Sequence, residues 1–548
     1  MTPRLDNPFY YLDNFQAVLR WVGQRYGDML DQAETDFMQR FPSLPQAARA
    51  LLARMVMRKG SLFRLGKLRY PEIGDPRAAC APLVEAGWVD PAPVLSLEQL
   101  FALLTRAEIA QAFGAHLPRR QLAKSAQWDC LAKQYPDPRP FAGWWPDARD
   151  SVQALVAKPM CERFRLMFFG TLSQDWSEFV LADLGLYRYE QVDFPASSRV
   201  LQCRRDVDDY LLLHGCRERF RAGAAPDDIL ADVPPQAYSN GWIEQRRARL
   251  LFLLARQYEK TGQWQAAYGL YMQNAGADAK SRAVRVLEQD GRPEEALALA
   301  ETLAREPAGE AQAQQLARIV PRLLRKLGRP AKPRSRPAQV DTLLLDLPRP
   351  TQPLCVEEVA RAWLERPGAP AYYVENTLVN ALFGLLCWDA LFAPMPGAFF
   401  HPFQNGPADL HSADFLPRRQ ALFDDCLAQL DTGRYRRTIL RNHARKAGLQ
   451  CAFVAWNIID RQVLRHALRC IPASHLKKWF QRMLADLPAN RSGFPDLVQF
   501  WPAQRRYRMV EVKGPGDRLQ DNQVRWLDYC AAHGMPVAVC RVQWAPAT

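Results

Sequence analysis

The chain has 548 residues, 48% hydrophobic and 11% aromatic, which excludes a disordered polymer and is too long for one hydrophobic core. Lys and Arg number 72 against 58 Asp and Glu, a formal net charge of +14 with a sequence pI of about 9.3, so a polyanionic partner is favoured, nucleic acid ahead of a membrane surface. Twelve cysteines, scattered from Cys80 to Cys540 with no Cys-x-x-Cys pair, argue against a zinc finger and suit free thiols in a reducing cytoplasm. The opening "MTPRLDNPFYYLDNF" holds no apolar signal core. The most apolar run, "ALFGLLCWDALFA" from Ala381, is broken by Asp389, is too short to span a bilayer, and predicts a buried helix.

In chain order, the first ~45 residues have helical spacing of aromatic and aliphatic residues, as in "YYLDNFQAVLRWVGQRY". "LLARMVMRKGSLFRLGKLRY" follows, with Arg54, Arg58, Lys59, Arg64, Lys67 and Arg69 interleaved among apolar residues. That mixture suits phosphate binding, where apolar residues anchor an element and cations reach the backbone. It suits an amphipathic helix with a solvated basic face equally well. Ser96 with Gln99 and Thr105 with Glu108 have the spacing of two capping boxes, each opening a short helix. "LPRRQLAKSAQWDCLAK" restarts after a turn with Arg119, Arg120 and Lys124 at its head, compatible with DNA-backbone contact and with plain helical packing.

From about Trp242 to Leu327 the pattern is helical, with an imperfect repeat. "YEKTGQWQAAYGLY" and "LEQDGRPEEALALA" set Gly262 over Gly291 and Ala267 over Ala296, the logic of tetratricopeptide-type hairpins. "RKLGRPAKPRSRPAQ", 325–339, is the best linker in the chain. Beyond it a separate C-terminal domain carries a second basic stretch, Arg434, Arg436, Arg437, Arg441, Arg445 and Lys446. By default that stretch is a solvated helix, although its place beside the candidate site raises the odds of DNA contact.

The chemistry concentrates near the C-terminus. "PDLVQFW" predicts a strand from Asp496, "PAQRR" a turn, and "YRMVEVK" a returning strand. Such a hairpin brings Asp496 and Glu511 together at one end. With Lys513 they form Pro495-Asp496-x14-Glu511-x-Lys513, the PD-(D/E)xK pattern of many metal-dependent nucleases. Phosphodiester hydrolysis places negative charge on the attacking and leaving oxygens. Hard cations held by carboxylates neutralise that charge, and a lysine can orient water and stabilise the transition state. The bare pattern also arises by chance in surface hairpins. After "GPG", "DRLQDNQVRWLDYCAAHG" predicts an amphipathic helix with Gln523 toward the strands, and "MPVAVCRV" a buried strand. The order β-β-α-β is the core of the restriction-nuclease-like fold.

"GFPDLVQFW…VEVKGPGDRLQDNQVRWLDY" resembles the VRR-NUC nuclease domain, specifically that of the Fanconi-associated nuclease family. "VENTLVNALFGLLCWDALF" resembles the family helix that supplies a further acid, here Glu375, and "FQNGPADL" the segment with an active-site glutamine, here Gln404. A glutamate near a helix start usually just favours the helix dipole. "RKGSLFRLGKLRYPEI…LVEAGWV…LFALLTRAEI" resembles the family's SAP-containing region. The resemblance implies a multidomain, mainly α protein: an N-terminal helical region (1–45), a SAP-containing, winged-helix-like DNA-binding domain (46–160) using the N-terminal basic residues above, a connecting region (161–235), a TPR-like domain (236–328), a Pro/Arg-rich linker (329–350) and a C-terminal α/β VRR-NUC domain (351–548). It implies a structure-selective endonuclease with 5′–3′ exonuclease activity on 5′ flaps and branched DNA, serving interstrand-crosslink repair. Glu375, Asp496, Glu511 and the Val512 carbonyl would hold one or two Mg²⁺ or Mn²⁺ ions, Lys513 and Gln404 would position water and phosphate, and Gln523 would support the strands. A monomeric, cytoplasmic, bacterial protein is expected. With no cysteine before Cys80, the ubiquitin-binding zinc finger of eukaryotic members is not. Asn522 stands where some relatives have a lysine that binds a DNA 5′-phosphate. The alternatives are a Holliday-junction resolvase, disfavoured by the extra helical domains, and a catalytically dead scaffold, disfavoured by the intact Asp496, Glu511 and Lys513.

Overall fold

The computed structural model describes residues 7–544 except 120, 175, 177–186, 332–339, 349 and 351–353. The chain divides into two compact units, residues 1–187 with 201–207, and residues 188–200 with 208–548.

In the first unit, helices Tyr10–Tyr26, Gln32–Arg40, Gln46–Met57, Pro76–Glu85 and Lys158–Phe169 accompany a small antiparallel sheet of β1 (Leu62–Arg64), β5 (Val152–Leu155) and β2 (Val89–Asp90), in that order. Asp31 caps the second helix in a capping box with Glu34. The Glu34 carboxylate is fully buried and takes hydrogen bonds from Arg163 and Arg204, so a charge that would be costly alone is matched from two sides. Phe37 packs on Trp88, Phe41 and Phe164. Both predicted capping boxes form, Ser96 with Gln99 and Thr105 with Glu108. They open two short helices over a core that includes Leu100, Phe101, Ile109, Phe113 and Trp144. A short pair, β3 (Val94–Leu95) with β4 (Arg139–Pro140), lies beside them.

In the second unit, helices Gly241–Lys260, Trp264–Gln273, Ala277–Gln289, Pro293–Arg305 and Glu310–Lys326 follow one another through short turns. The repeat is physical. Gly262 and Gly291 have φ of +73° and +76°, and Ala267 and Ala296 are both fully buried. Each glycine takes the left-handed conformation that ends one helix, and each alanine lets the neighbouring helix approach.

The C-terminal sheet has the order β6-β10-β9-β8-β7: β6 (Asp341–Leu347), β7 (Ala371–Tyr373), β8 (Leu497–Trp501), β9 (Arg506–Lys513) and β10 (Val537–Trp544). β10 runs parallel to β6 and β9, whereas β8 is antiparallel to β9 and β7. Helix Asp521–Ala532 makes the crossover from β9 to β10, giving the expected β-β-α-β order. Val510 and Val512 pack with Ala360 and Leu364 of helix Val356–Leu364 on one face. Met509 and Val539 join the large core under helices Leu378–Leu386 and Ala473–Ala485 on the other. Two expectations need correction. Residues 341–347, assigned to the linker 329–350, form edge strand β6, because "DTLLLDL" pairs along the whole of β10. The apolar run from Ala381 is not one helix but Leu378–Leu386 followed by Trp388–Leu391, with the break at Cys387.

The loop entering β8 is held on both sides. Asn376, a non-glycine residue at φ +52°, accepts hydrogen bonds at Oδ1 from the backbone N–H groups of Gly493 (2.8 Å) and Phe494 (3.1 Å). Across the loop, Trp526 Nε1 donates to the Ser492 carbonyl, and Phe494 packs on the Trp526 ring at 3.9 Å. Gly493 itself has φ +94°, and a Cβ there would meet the backbone carbon of Asn522 at 2.8 Å. Gly493→Ala should therefore cost on the order of 1–3 kcal/mol of stability and reduce activity, because either the loop or the helix must shift. A urea midpoint and activity equal to the parent's would contradict this account.

Candidate active site

The register of the hairpin sets the site. Leu497 pairs with Val510, so Asp496, one residue before β8, lies opposite the stretch around Glu511. Asp496 Oδ2 accepts the Val512 N–H at 2.8 Å, and the Asp496 carbonyl accepts the Val374 N–H at 2.9 Å. The residue is thereby fixed by main chain on both sides. Glu511 points from the centre of the sheet and is fully buried. Lys513, two residues on and on the same face, places Nζ 2.7 Å from Glu511 Oε1. The pair is close but poorly aligned, and neither Glu511 oxygen receives a well-formed hydrogen bond.

Burial is the first cause of an unusual protonation state here. It pushes the Glu511 carboxyl up to about 8, with Asp496 adding to the rise and Lys513 opposing it. Asp496 rises to about 6, again through burial, opposed by the Val512 N–H and Lys513 and reinforced by Glu375 and Glu357. Glu375 is exposed and sits in the turn between β7 and helix Leu378–Leu386, ahead of the helix rather than on it. Tyr373 donates its hydroxyl to Glu375 Oε2 at 3.0 Å, and Asn376 Nδ2 lies 3.3 Å from Oε1. Asn376 thus reaches Glu375 with one end of its amide and the Asp496 loop with the other.

Glu357 was not foreseen. It lies in the first turn of helix Val356–Leu364, whose start approaches Gly514, and its charge is felt at both Asp496 and Tyr373. In sequence it looks like an ordinary acid at a helix N-terminus. Only the contact of that helix start with the turn after Lys513 brings it near.

The donor set is all oxygen, which suits a hard divalent cation. Glu511 supports that fit most directly, since its two buried oxygens have only the poorly aligned Lys513 ammonium, 2.7 Å from Oε1, beside them, and such a group in a protein interior calls for a proton or a cation. Among the described residues, however, no three His, Cys, Asp or Glu side chains converge as a ready-made ligand set. Like-charged carboxylates repel one another until a cation neutralises them.

Comparison with known proteins identifies the domain that carries Asp496, Glu511 and Lys513. Residues 431–544 match the VRR-NUC domain, residues 9–90 the FAN1, HTH domain, and residues 94–144 the Fanconi anemia-associated nuclease SAP domain. The chain is 53% identical to the Fanconi-associated nuclease 1 homolog of Pseudomonas aeruginosa, over 99% of this chain and 97% of that protein. The chain belongs to the Fanconi-associated nuclease family. It is 25% identical to the homolog of Oryza sativa subsp. japonica, over 97% of this chain and 62% of the rice protein. The crystal structure of paFAN1 bound to 2nt 5′ flap DNA with gap matches with a TM-score of 0.94 at 53% identity, covering 100% of both chains. The paFAN1 complex with 1nt 5′ flap DNA with gap matches at 0.92, covering 99% of this chain and 100% of the other. The chain is a nuclease, mainly helical, with its VRR-NUC domain at the C-terminus.

In this family member the remaining candidate residues separate by what they touch. Gln404 is not joined to the carboxylates by any contact among the described residues. Its Oε1 accepts the Phe400 and His401 N–H groups, and its Nε2 reaches the Ala398 and Gly406 carbonyls. A few residues on, Asp409 is clasped by fully buried Arg419 through both guanidinium nitrogens. "FQNGPADL" thus carries the bonds that pin its own loop. Gln523 accepts the Gln520 N–H at 2.8 Å and completes the capping box that starts the crossover helix.

The basic residues of the first unit divide likewise. Arg64 is buried and bonded to Glu108 and Asp150. Arg54 pairs with Glu72 at 2.7 Å and stacks over Tyr11. Both have carboxylate partners within the fold. Lys124 donates to the Leu104 carbonyl at the end of the preceding helix. Arg58, Lys59, Lys67, Arg69 and Arg119 are exposed, and Arg120 lies outside the described residues. In the C-terminal domain, Lys446 pairs with Glu190 at 2.5 Å, while Arg434, Arg436, Arg437, Arg441 and Arg445 are exposed.

The raised carboxyl groups have a consequence for stability. Folded Glu511 and Asp496 hold protons more tightly than the unfolded chain does, so the folded state binds more protons between the ordinary carboxylate range and about pH 8. Metal-free stability should therefore fall as pH rises through that window. Glu511→Gln cannot ionise. In EDTA its Tm should exceed the parent's above pH 8, and the difference should shrink toward about pH 5. A Tm difference that does not vary with pH would show that Glu511 carries no buried-charge penalty.

Proposed function

We propose that this nuclease is a divalent-metal-dependent, structure-selective DNA endonuclease that cuts 5′ flaps and related branched DNA, with 5′–3′ exonuclease activity, in the repair of interstrand crosslinks. The observation that carries the metal requirement is Glu511, a fully buried carboxylate beside Asp496 whose neighbouring cation, Lys513, lies 2.7 Å away but is poorly aligned with it. The flap preference is supported by 53% identity along the whole chain to paFAN1, whose crystal structures contain 5′ flap DNA with a gap.

In this mechanism Glu511, Asp496, Glu375 and the Val512 carbonyl would hold one or two Mg²⁺ or Mn²⁺ ions. When bound, the cation supplies charge neutralisation at the attacking and leaving oxygens. Glu511 and Asp496 would hold it in their carboxylate forms. Lys513 would offer its ammonium to the attacking water and the scissile phosphate. Val512 N–H keeps Asp496 oriented throughout, and Asn376 keeps Glu375 and the Asp496 loop at fixed separation. Exposed Arg58, Lys59, Lys67, Arg69 and Arg119 make phosphate contacts that position DNA without reading its sequence.

End-labelled 5′-flap, 3′-flap, four-way and linear duplex DNA, incubated with Mg²⁺, Mn²⁺ or EDTA, test the proposal. The 5′ flap should be cut best and only with metal, and Asp496→Asn should lower the rate at least about 10²-fold while binding persists. Symmetric cutting of the four-way junction in preference to the flap would make the protein a resolvase. Tight junction binding without cleavage in either metal would leave a scaffold.

A further inference from the structure

A groove of about 990 Å³ lies among the repeat helices, away from the carboxylates. Six arginines line it: Arg256 on helix Gly241–Lys260, Arg282 and Arg285 on Ala277–Gln289, and Arg318, Arg322 and Arg325 on Glu310–Lys326. The acids on its wall are Asp278 and Glu288. Among the described residues no carboxylate pairs with Arg256 or Arg325. Arg282 and Arg285 share Glu259 at 3.4 and 3.6 Å, and Arg322 shares Glu288 with Lys326. The groove therefore holds more cation than its own acids match.

The spacing is that of a polyanion. Arg318, Arg322 and Arg325 fall at i, i+4 and i+7, on one helix face, over an axial rise of about 10 Å. One strand of duplex DNA presents about three phosphates in that rise. The apolar residues on the wall are Phe252 and Ile319, too few for the row of pockets by which a peptide helix is gripped. The groove also reaches toward the chemistry. Arg318 donates through both terminal nitrogens to Asp521, and Gln314 donates to the Asp521 carbonyl. Asp521 opens the crossover helix, whose next residue, Asn522, lies against Gly493 of the catalytic loop.

We propose that this groove holds the sugar–phosphate backbone of a duplex arm of the substrate, an inference that rests on the DNA-cutting function above. It adds a second phosphate-binding surface, built from residues that are scattered over 70 positions and form no basic run.

The test is binding of 5′-flap DNA to the full-length protein in EDTA across a salt series, for the parent and for Arg256→Ala/Arg285→Ala/Arg325→Ala. These three side chains are exposed. The triple variant should bind about tenfold more weakly, and its slope of log K against log salt should be shallower by about 2–3. Trimming the duplex arms in turn should close the gap between parent and variant for one of them. Unchanged affinity and slope would overturn the proposal, as would a gap that persists with both arms trimmed. Competition by an acidic peptide that is lost in the variant, with DNA binding intact, would make the groove a peptide site and also overturn it. If the triple variant melts early, Arg256→Glu and Arg325→Glu singly are read by the same slope. Cleavage of the flap by the parent is a separate readout: its absence refutes the nuclease reading, whereas cleavage with an unaffected variant refutes only the groove.

Discussion

A carboxylate buried in the middle of a sheet with only one, poorly aligned, cationic neighbour is the constraint around which the C-terminal domain is organised. Placing Glu511 on the central strand β9, flanked by β8 and β10 and covered by helices, removes it from water almost completely. In an ordinary core this would be a defect, since buried polar groups without partners are destabilising. Here the environment supplies one cation, Lys513, close enough to lower the penalty but not aligned well enough to remove it. The site holds an unmet electrostatic demand, and a hard cation meets that demand better than any side chain present.

The surrounding structure keeps that demand from relaxing by movement. Asp496 is held at Oδ2 by the Val512 N–H and at its carbonyl by Val374. The preceding loop is bracketed by Asn376 on one side and by Trp526 and Asn522 on the other. Asn376 tolerates a left-handed backbone as few other side chains do, and its amide then serves two functions, toward the loop and toward Glu375. Preorganisation of this kind places its cost in folding rather than in the reaction step.

Much of this was legible in sequence where the cause is local. Alternation in "MVEVK" and the β-β-α-β order need only neighbouring residues, and both capping boxes formed because Ser96–Gln99 and Thr105–Glu108 satisfy each other within one turn. What was not legible depends on distant partners. Arg54 and Arg64 sit in a basic run, yet Glu72, Glu108 and Asp150 claim them, and no spacing rule announces those pairs. Strand β6 was hidden by the prolines and arginines around it, because its pairing partner lies almost 200 residues on. Gln404 resembles an active-site residue by motif, while its amide is taken up by backbone groups of its own loop. Glu357 and the groove arginines gave no signal because helices Val356–Leu364, Ala277–Gln289 and Glu310–Lys326 bring them into place only after folding.

The same distinction bears on how a formal charge of +14 becomes recognition. Arg64, Arg247 and Arg419 are each buried against carboxylates or carbonyls, so their charge organises the fold. Where exposed arginines and lysines contact phosphate, as proposed above, those contacts do not distinguish one sequence from another. Selectivity for a branched substrate must then come from where such contacts lie relative to a single set of carboxylates. Within the second unit, the Arg318–Asp521 ion pair links the arginine-lined groove to the crossover helix, whose Asn522 lies against Gly493 in the loop before Asp496. If the groove holds a duplex arm as proposed, a backbone phosphate and the Asp521 carboxylate compete for the one Arg318 guanidinium, so a phosphate contact there is made at the expense of an ion pair already in place.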